Sequence, residues 1–166
     1  MIDYPDAAWT KQQLTERLAL TTRLLQSEDF EPAAPFTSQS QTQWIHVICA
    51  ISDLVRQASL AGKRIDFTQD VNIDDEGQDI TSLLDSMRRS AYIVRSSMPS
   101  QLNLTILSPN LNHFYGAGAG HFSNGLLFAC EYDNEMAFFI GRDRVFFYRH
   151  LMRAFMEARY YLLSLN

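Results

Sequence analysis

Residues 124–163 constrain this chain more than any other stretch. They read NGLLFACEYDNEMAFFIGRDRVFFYRHLMRAFMEARYYLL, and 13 of the chain's 20 aromatic residues lie beyond position 100. Each large apolar side chain taken fully out of water stabilises by about 1.5–3 kcal/mol, so this segment is expected to dominate the core. It carries more ring surface than forty residues can hide within themselves. The excess has to be covered by the other helices, by a second copy of the chain, or by a ligand.

The 166 residues suit a single domain spanning 1–166, and a chain of this size buries roughly 70% of its unfolded surface. Neither a disulfide nor a metal is required for stability, and no cofactor is expected. The net charge of −5 disfavours a nucleic-acid partner, because that affinity is largely electrostatic. The charge is uneven: residues 1–62 carry −3, residues 63–100 carry −2, and residues 101–166 are neutral. Cys49 and Cys130 sit in apolar runs and read as small buried hydrophobes. The acidic opening MIDYPDAAWT lacks the form of a signal peptide, and no run of eighteen apolar residues occurs. A reduced, cytoplasmic setting with no membrane span is expected.

Periodicity organises the first hundred residues. A first helix is predicted over Ala7–Ser27, with Asp6 as N-cap and Thr10 and Gln13 as a capping box. Its stripe of Leu14, Leu18, Thr21 and Leu25 is narrow. Glu28–Ser38, with two prolines, reads as a loop. Ser40 and Gln43 suggest a capping box for a second helix, whose apolar residues Trp44, Val47, Ile48, Ile51, Leu54, Val55 and Ala58 follow the helical template without a miss. Gly62 closes it. Ile65–Ile73 alternates like a half-buried strand. Asp74, Asp75, Glu76 and Asp79 then precede a third helix, with Ile80, Leu83, Leu84, Met87, Ala91, Val94 and Met98 on one stripe and Pro99 as the stop.

Beyond Pro99 the pattern predicts a short strand at Gln101–Leu107 and a loop over Ser108–Gly125, where GAGAG opposes regular structure. Leu126–Tyr132 and Glu135–Ile140 flank Asp133-Asn134 as a hairpin. Arg144–Tyr148 is either a third strand or the first turns of a helix capped by Asp143, and the strand is preferred. The helix from about residue 148 is secured by Tyr148, Leu151, Met152, Phe155, Ala158 and Leu162. The fold class is α+β: three to four long amphipathic helices packed on a small antiparallel sheet near 125–148. An all-α bundle with a hairpin insertion is the alternative.

Several residue sets suggest chemistry. Arg144, five intervening residues and His150 resemble the Arg-x(4–6)-His signature of HEPN ribonucleases. The resemblance implies a helical bundle that cleaves RNA, with His150 as acid/base and Arg144 steadying phosphate charge. Val145 stands where that motif usually has a polar residue. Asp70-x-Asn72-x-Asp74 starts like a calcium loop, but Asp75 and Thr81 occupy the places that need Gly and Glu. His113 and His121 with Glu131 or Asp133 lack any spacing that enforces a metal site. Tyr115, His121, Phe122 and Tyr132 bracket the Gly116–Gly120 run and form a candidate apolar ligand pocket. Phe146, Tyr148, Arg149, Met152, Arg153, Met156 and Tyr160 combine the aromatic, Met and Arg content of a protein interface. The reading placed first is a non-catalytic, homodimeric interaction or regulatory protein using that face. A small-molecule binder and a HEPN-like ribonuclease follow.

Overall fold

The computed structural model describes residues 7–71, 78–97 and 111–165. The expected Asp6 cap, the end of the 65–73 strand, the acidic run at Asp74–Glu76, the Pro99 stop and the Gln101–Leu107 strand lie outside these residues. The element order is α1 (Lys11–Leu25), a 3₁₀ turn (Glu28–Phe30), α2 (Ser38–Leu60), α3 (Ile80–Ser97), β1 (Leu111–Tyr115), β2 (Gly118–His121), β3 (Leu127–Cys130), β4 (Met136–Ile140), β5 (Asp143–Phe146), a π-helical turn (Phe147–Met152) and α4 (Arg153–Ser164). This is an α+β fold. No helix of the described residues is long and apolar enough to cross a membrane.

The helices form where periodicity places them, with shifted ends. Thr10 and Gln13 make the expected capping box, but as the N-cap and N3 of α1, so the helix starts four residues later than Ala7. At α2 the cap is Thr37 rather than Ser40: the Thr37 and Ser40 side chains each accept the other's backbone N–H. Ser40 thus supplies the N3 partner, and its short hydroxyl does the work usually given to Glu or Gln. At the far end, Gly62 adopts φ +101°. There Lys63 N–H reaches Ala58 O at 2.8 Å and Gly62 N–H reaches Ser59 O at 3.0 Å, a paired closure that only a left-handed residue permits.

Residues 65–71 keep their alternation without becoming a strand. Ile65, Phe67 and Val71 are buried while Asp66 and Thr68 are exposed, yet no ladder forms. The backbone bonds go to the start of α3 instead: Ile80 N–H donates to Phe67 O and Thr81 Oγ1 to Ile65 O. Alternating burial reports which face meets the core, not what the backbone pairs with.

The sheet membership differs from the expected meander. β4 is central, flanked by β1 and β5, all antiparallel. β3 pairs with β2 in a separate two-stranded ribbon, so the Asp133-Asn134 turn links two sheets and does not close a hairpin between its flanking strands. The GAGAG segment is therefore not irregular: it supplies β2. Gly118 is there for proximity, since a Cβ would lie 2.9 Å from Phe114 Cζ. The Arg144–Tyr148 segment is a strand to Phe146 and helical from Phe147.

β4 is buried on both faces. Met136, Phe138 and Ile140 join the helical core, while Ala137 and Phe139 join a second cluster with Phe146, Cys130 and the rings of Phe114, Phe122, Phe128 and Tyr132. The main core centres on Trp44 of α2. Its indole stacks on Phe138 at 5.0 Å with an interplanar angle of 5°, and meets Phe30 and Phe147 edge-on. One residue therefore ties α2, the sheet, the 3₁₀ turn and the C-terminal helix. Trp44→Ala should cost about 3–5 kcal/mol, read as a lowered denaturation midpoint with unchanged slope. Midpoints within experimental error of each other would contradict this placement of the core.

Candidate interaction face

The C-terminal helix begins on a borrowed cap. Phe146, in the N-cap position, has no capping side chain of its own. Glu135, just before β4, is 2% exposed and supplies one: Oε1 accepts Tyr148 N–H and Oε2 accepts Arg149 N–H, both at 3.0 Å. Oε1 also accepts Met136 N–H at 2.9 Å. The carboxylate thus meets the positive end of a helix dipole and satisfies amides of the first turn that have no intrahelical partner.

His150 locks the same turn from inside. It is fully buried, with Nδ1 accepting Phe146 N–H at 3.0 Å and Nε2 at 3.0 Å from Gln69 O. A carbonyl can only accept, so Nε2 carries the proton and the ring is neutral. Burial drives its pKa down to about 4. Arg144 lies on β5, not on a helix with His150, and its guanidinium rests 4.4 Å from the Phe146 ring centre and donates to Ala129 O. The open acid/base and phosphate-gripping pair implied by the HEPN resemblance is not formed, because both nitrogens of His150 are spent on backbone.

Around this turn three arginines converge on residues 67–70. Arg149 lies 3.3 Å over the Tyr132 ring and 3.5 Å from Asp70 Oδ2. The Tyr132 hydroxyl donates to Asp70 Oδ1 at 2.8 Å. Arg153 donates to Gln69 Oε1 at 2.9 Å and lies 3.9 Å over Phe67. Arg144 Nη2 reaches Asp70 O at 3.5 Å. Asp70 itself holds φ +60°, a left-handed conformation that costs of order 1 kcal/mol and is retained because these contacts over-determine it.

Two surfaces border the turn. Pro32, Tyr115, Asn134, Glu135, Tyr148 and Arg149 line a shallow groove of about 560 Å³. From the π-helical turn into α4, Leu151, Phe155, Ala158 and Leu162 face the core, while Met156, Tyr160 and Leu163 of α4 form a second apolar stripe in solvent, with half-buried Met152 of the turn just before it. Tyr160 is 80% exposed. Of the seven expected interface residues, Tyr148, Arg149, Arg153, Met156 and Tyr160 are on this surface and Met152 is at its edge. Phe146 is not: it is fully buried in the second cluster.

The four expected pocket residues do not converge. Tyr115 faces the groove, His121 is exposed on the ribbon, Phe122 packs in the second cluster, and Tyr132 sits under Arg149. Phe114 and Phe128 fill the space against Gly118 and Gly120. Cys130 is buried and burial pushes its thiol pKa up, while Cys49 is half-buried. No group of three metal-ligating side chains occurs among the described residues. Glu135 and Asp70 left no periodic signal; only the buried register of β4 beside a polar residue hinted at the first. The chain matches no protein-family model, no curated protein and no solved structure.

Two tests follow from the turn. Glu135→Gln keeps the shape but removes the charge and one acceptor, and should cost about 1–3 kcal/mol in chemical denaturation. For His150, the unfolded chain takes up a proton below its ordinary pKa of 6.5 while the native ring stays neutral to about 4. Its contribution is therefore fully present above pH 6.5 and is lost as pH falls from 6.5 toward 4, by at most on the order of 3 kcal/mol. Stability measured across that window should fall less steeply in His150→Gln than in the parent. Equal slopes would mean that His150 takes up its proton alike in the folded and the unfolded chain.

Proposed function

We propose that this protein is a non-catalytic interaction protein that pairs with a second copy of itself through α4 and the turn before it. The observation that carries the reading is the second apolar stripe, Met156, Tyr160 and Leu163, left uncovered on a helix whose opposite face is already core. The stripe continues into Tyr148 and is rimmed by Arg149, Arg153 and Arg159, all exposed. Aromatics, Met and Arg are the residue types enriched at protein interfaces.

Charge favours a self-partner. The chain carries −5 overall, but residues 101–166 are neutral, so two such faces meet without the repulsion that would oppose pairing the N-terminal halves. The chemistry around the face also fits binding better than catalysis. Its buried titratable groups, Glu135 and His150, are engaged by backbone and hold the turn in shape.

Molar mass by light scattering over a concentration series tests the reading. The expected result is a species of twice the 19.0 kDa chain mass. Tyr160→Glu and Met156→Glu should each weaken assembly about tenfold or more while leaving the circular dichroism unchanged. A chain that stays monomeric throughout the series would refute the pairing.

A further inference from the structure

The turn that carries the α4 face encloses a group able to change its charge. His150 is fully buried beside the rings of Phe67 and Phe146. Its two nitrogens have opposite tasks: Nδ1 accepts Phe146 N–H, and Nε2 donates to Gln69 O. The arrangement works only while Nδ1 keeps its lone pair. A second proton would set one N–H against another. Phe146 cannot yield on its own, because its backbone ends β5 and opens the π-helical turn.

The charged groups around the ring give a second proton little support. Arg144 of β5 and Arg149 of the turn oppose it, and Asp70 favours it. Asp70 is already engaged, by the Tyr132 hydroxyl at 2.8 Å and by Arg149 at 3.5 Å. Arg153, opening α4, is held by Gln69 and Glu157. Glu135, before β4, spends its carboxylate on backbone amides. Burial is the largest influence, and it keeps the ring neutral to about 4.

A locked turn therefore binds one proton fewer than a turn whose imidazole has reached water. Between the ordinary value of 6.5 and about 4, each unit of falling pH shifts the balance about tenfold toward the released turn. Release reaches the surface directly. Tyr148 and Arg149 lie between Phe146 and His150, the two residues that this bond ties together, and the same turn sets the rotation of α4.

We propose that His150 makes the self-pairing acid-labile: on taking up a proton it loses its bond to Phe146, the turn unfastens, and the α4 faces separate. This regulation rests on the pairing read above. The sense of the effect is one that net charge cannot produce. The isoelectric point is near 5.3, so acidification from neutrality first brings the chain toward zero charge, which by itself promotes association. Through His150, pairing is instead complete above pH 6.5 and is lost as the pH falls toward 4.

Dissociation constants of the full chain, measured by light scattering from pH 7 to about 4.5, test this in the parent and in His150→Gln. Gln offers one acceptor and one donor but takes up no proton. Asp70, Glu135 and the arginines are common to both chains, so their titration cancels in the comparison. The parent Kd should rise about tenfold or more across the window, while that of His150→Gln stays level or falls. A reciprocal measurement needs no variant. If protonation weakens pairing, pairing must hold back protonation. The His150 imidazole, followed by NMR, should then titrate at lower pH in a concentrated sample than in a dilute one. Pairing in the parent that acid leaves unchanged or strengthens, or an imidazole midpoint indifferent to concentration in a chain that does pair, would overturn the switch alone. A chain already monomeric at pH 7 would instead refute the pairing on which it rests.

Discussion

The fold turns on a buried carboxylate. Glu135 stands where the chain leaves the inter-sheet turn and enters β4, and it reaches forward to hold the first free amides of the C-terminal helix. A buried anion is tolerable only if donors surround it. Here the donors are backbone groups, which cannot move without unwinding an element. The start of the central strand and the start of the last helix are therefore one rigid joint. Everything displayed on the α4 face, from Tyr148 to Tyr160, inherits its direction from that joint.

The aromatic surplus resolves in two unequal parts. Most of it is absorbed internally, because β4 is covered on both sides: by Trp44 and the helices on one, and by the β2–β3 ribbon on the other. The ribbon succeeds as a cover because Gly118 and Gly120 let the rings of Phe114 and Phe128 lie against bare backbone. A small part, on α4, stays in solvent. The premise of unsatisfied ring surface thus narrows from forty residues to one helical stripe.

Local physics explains which features could be read from the chain. The α2 stripe was legible because seven apolar residues at helical spacing have a single solution, and all seven are buried. The three α1 stripe leucines and Thr21 behave likewise. Strand pairing was not legible: Asp133-Asn134 is a sound turn signal, but a turn says that the chain reverses, not that the flanking strands bond. Ile65–Val71 showed a true burial pattern and a false ladder for the same reason. At the face, residue type identified five of seven positions on the surface, and Phe146 failed because alternation on β5 turns it toward the second cluster. Glu135 and Asp70 depend on contacts between distant segments, for which periodicity has no vocabulary.

The π-helical turn connects these observations. Phe147 is fixed by Trp44 and Phe30, and His150 is fixed by Gln69 and Phe146. Between such anchors, a wide turn accommodates one more residue than an α-turn and rotates the following helix by about 100°. That rotation decides which of the two apolar stripes on α4 enters the core. With it, Phe155, Ala158 and Leu162 pack inward and Met156, Tyr160 and Leu163 face out. An α-helical start from the same anchors would turn the stripes toward different neighbours. The exposed stripe is therefore a consequence of the anchored turn and not of a leftover in composition, which is why the caps on that turn bear on binding as much as on stability.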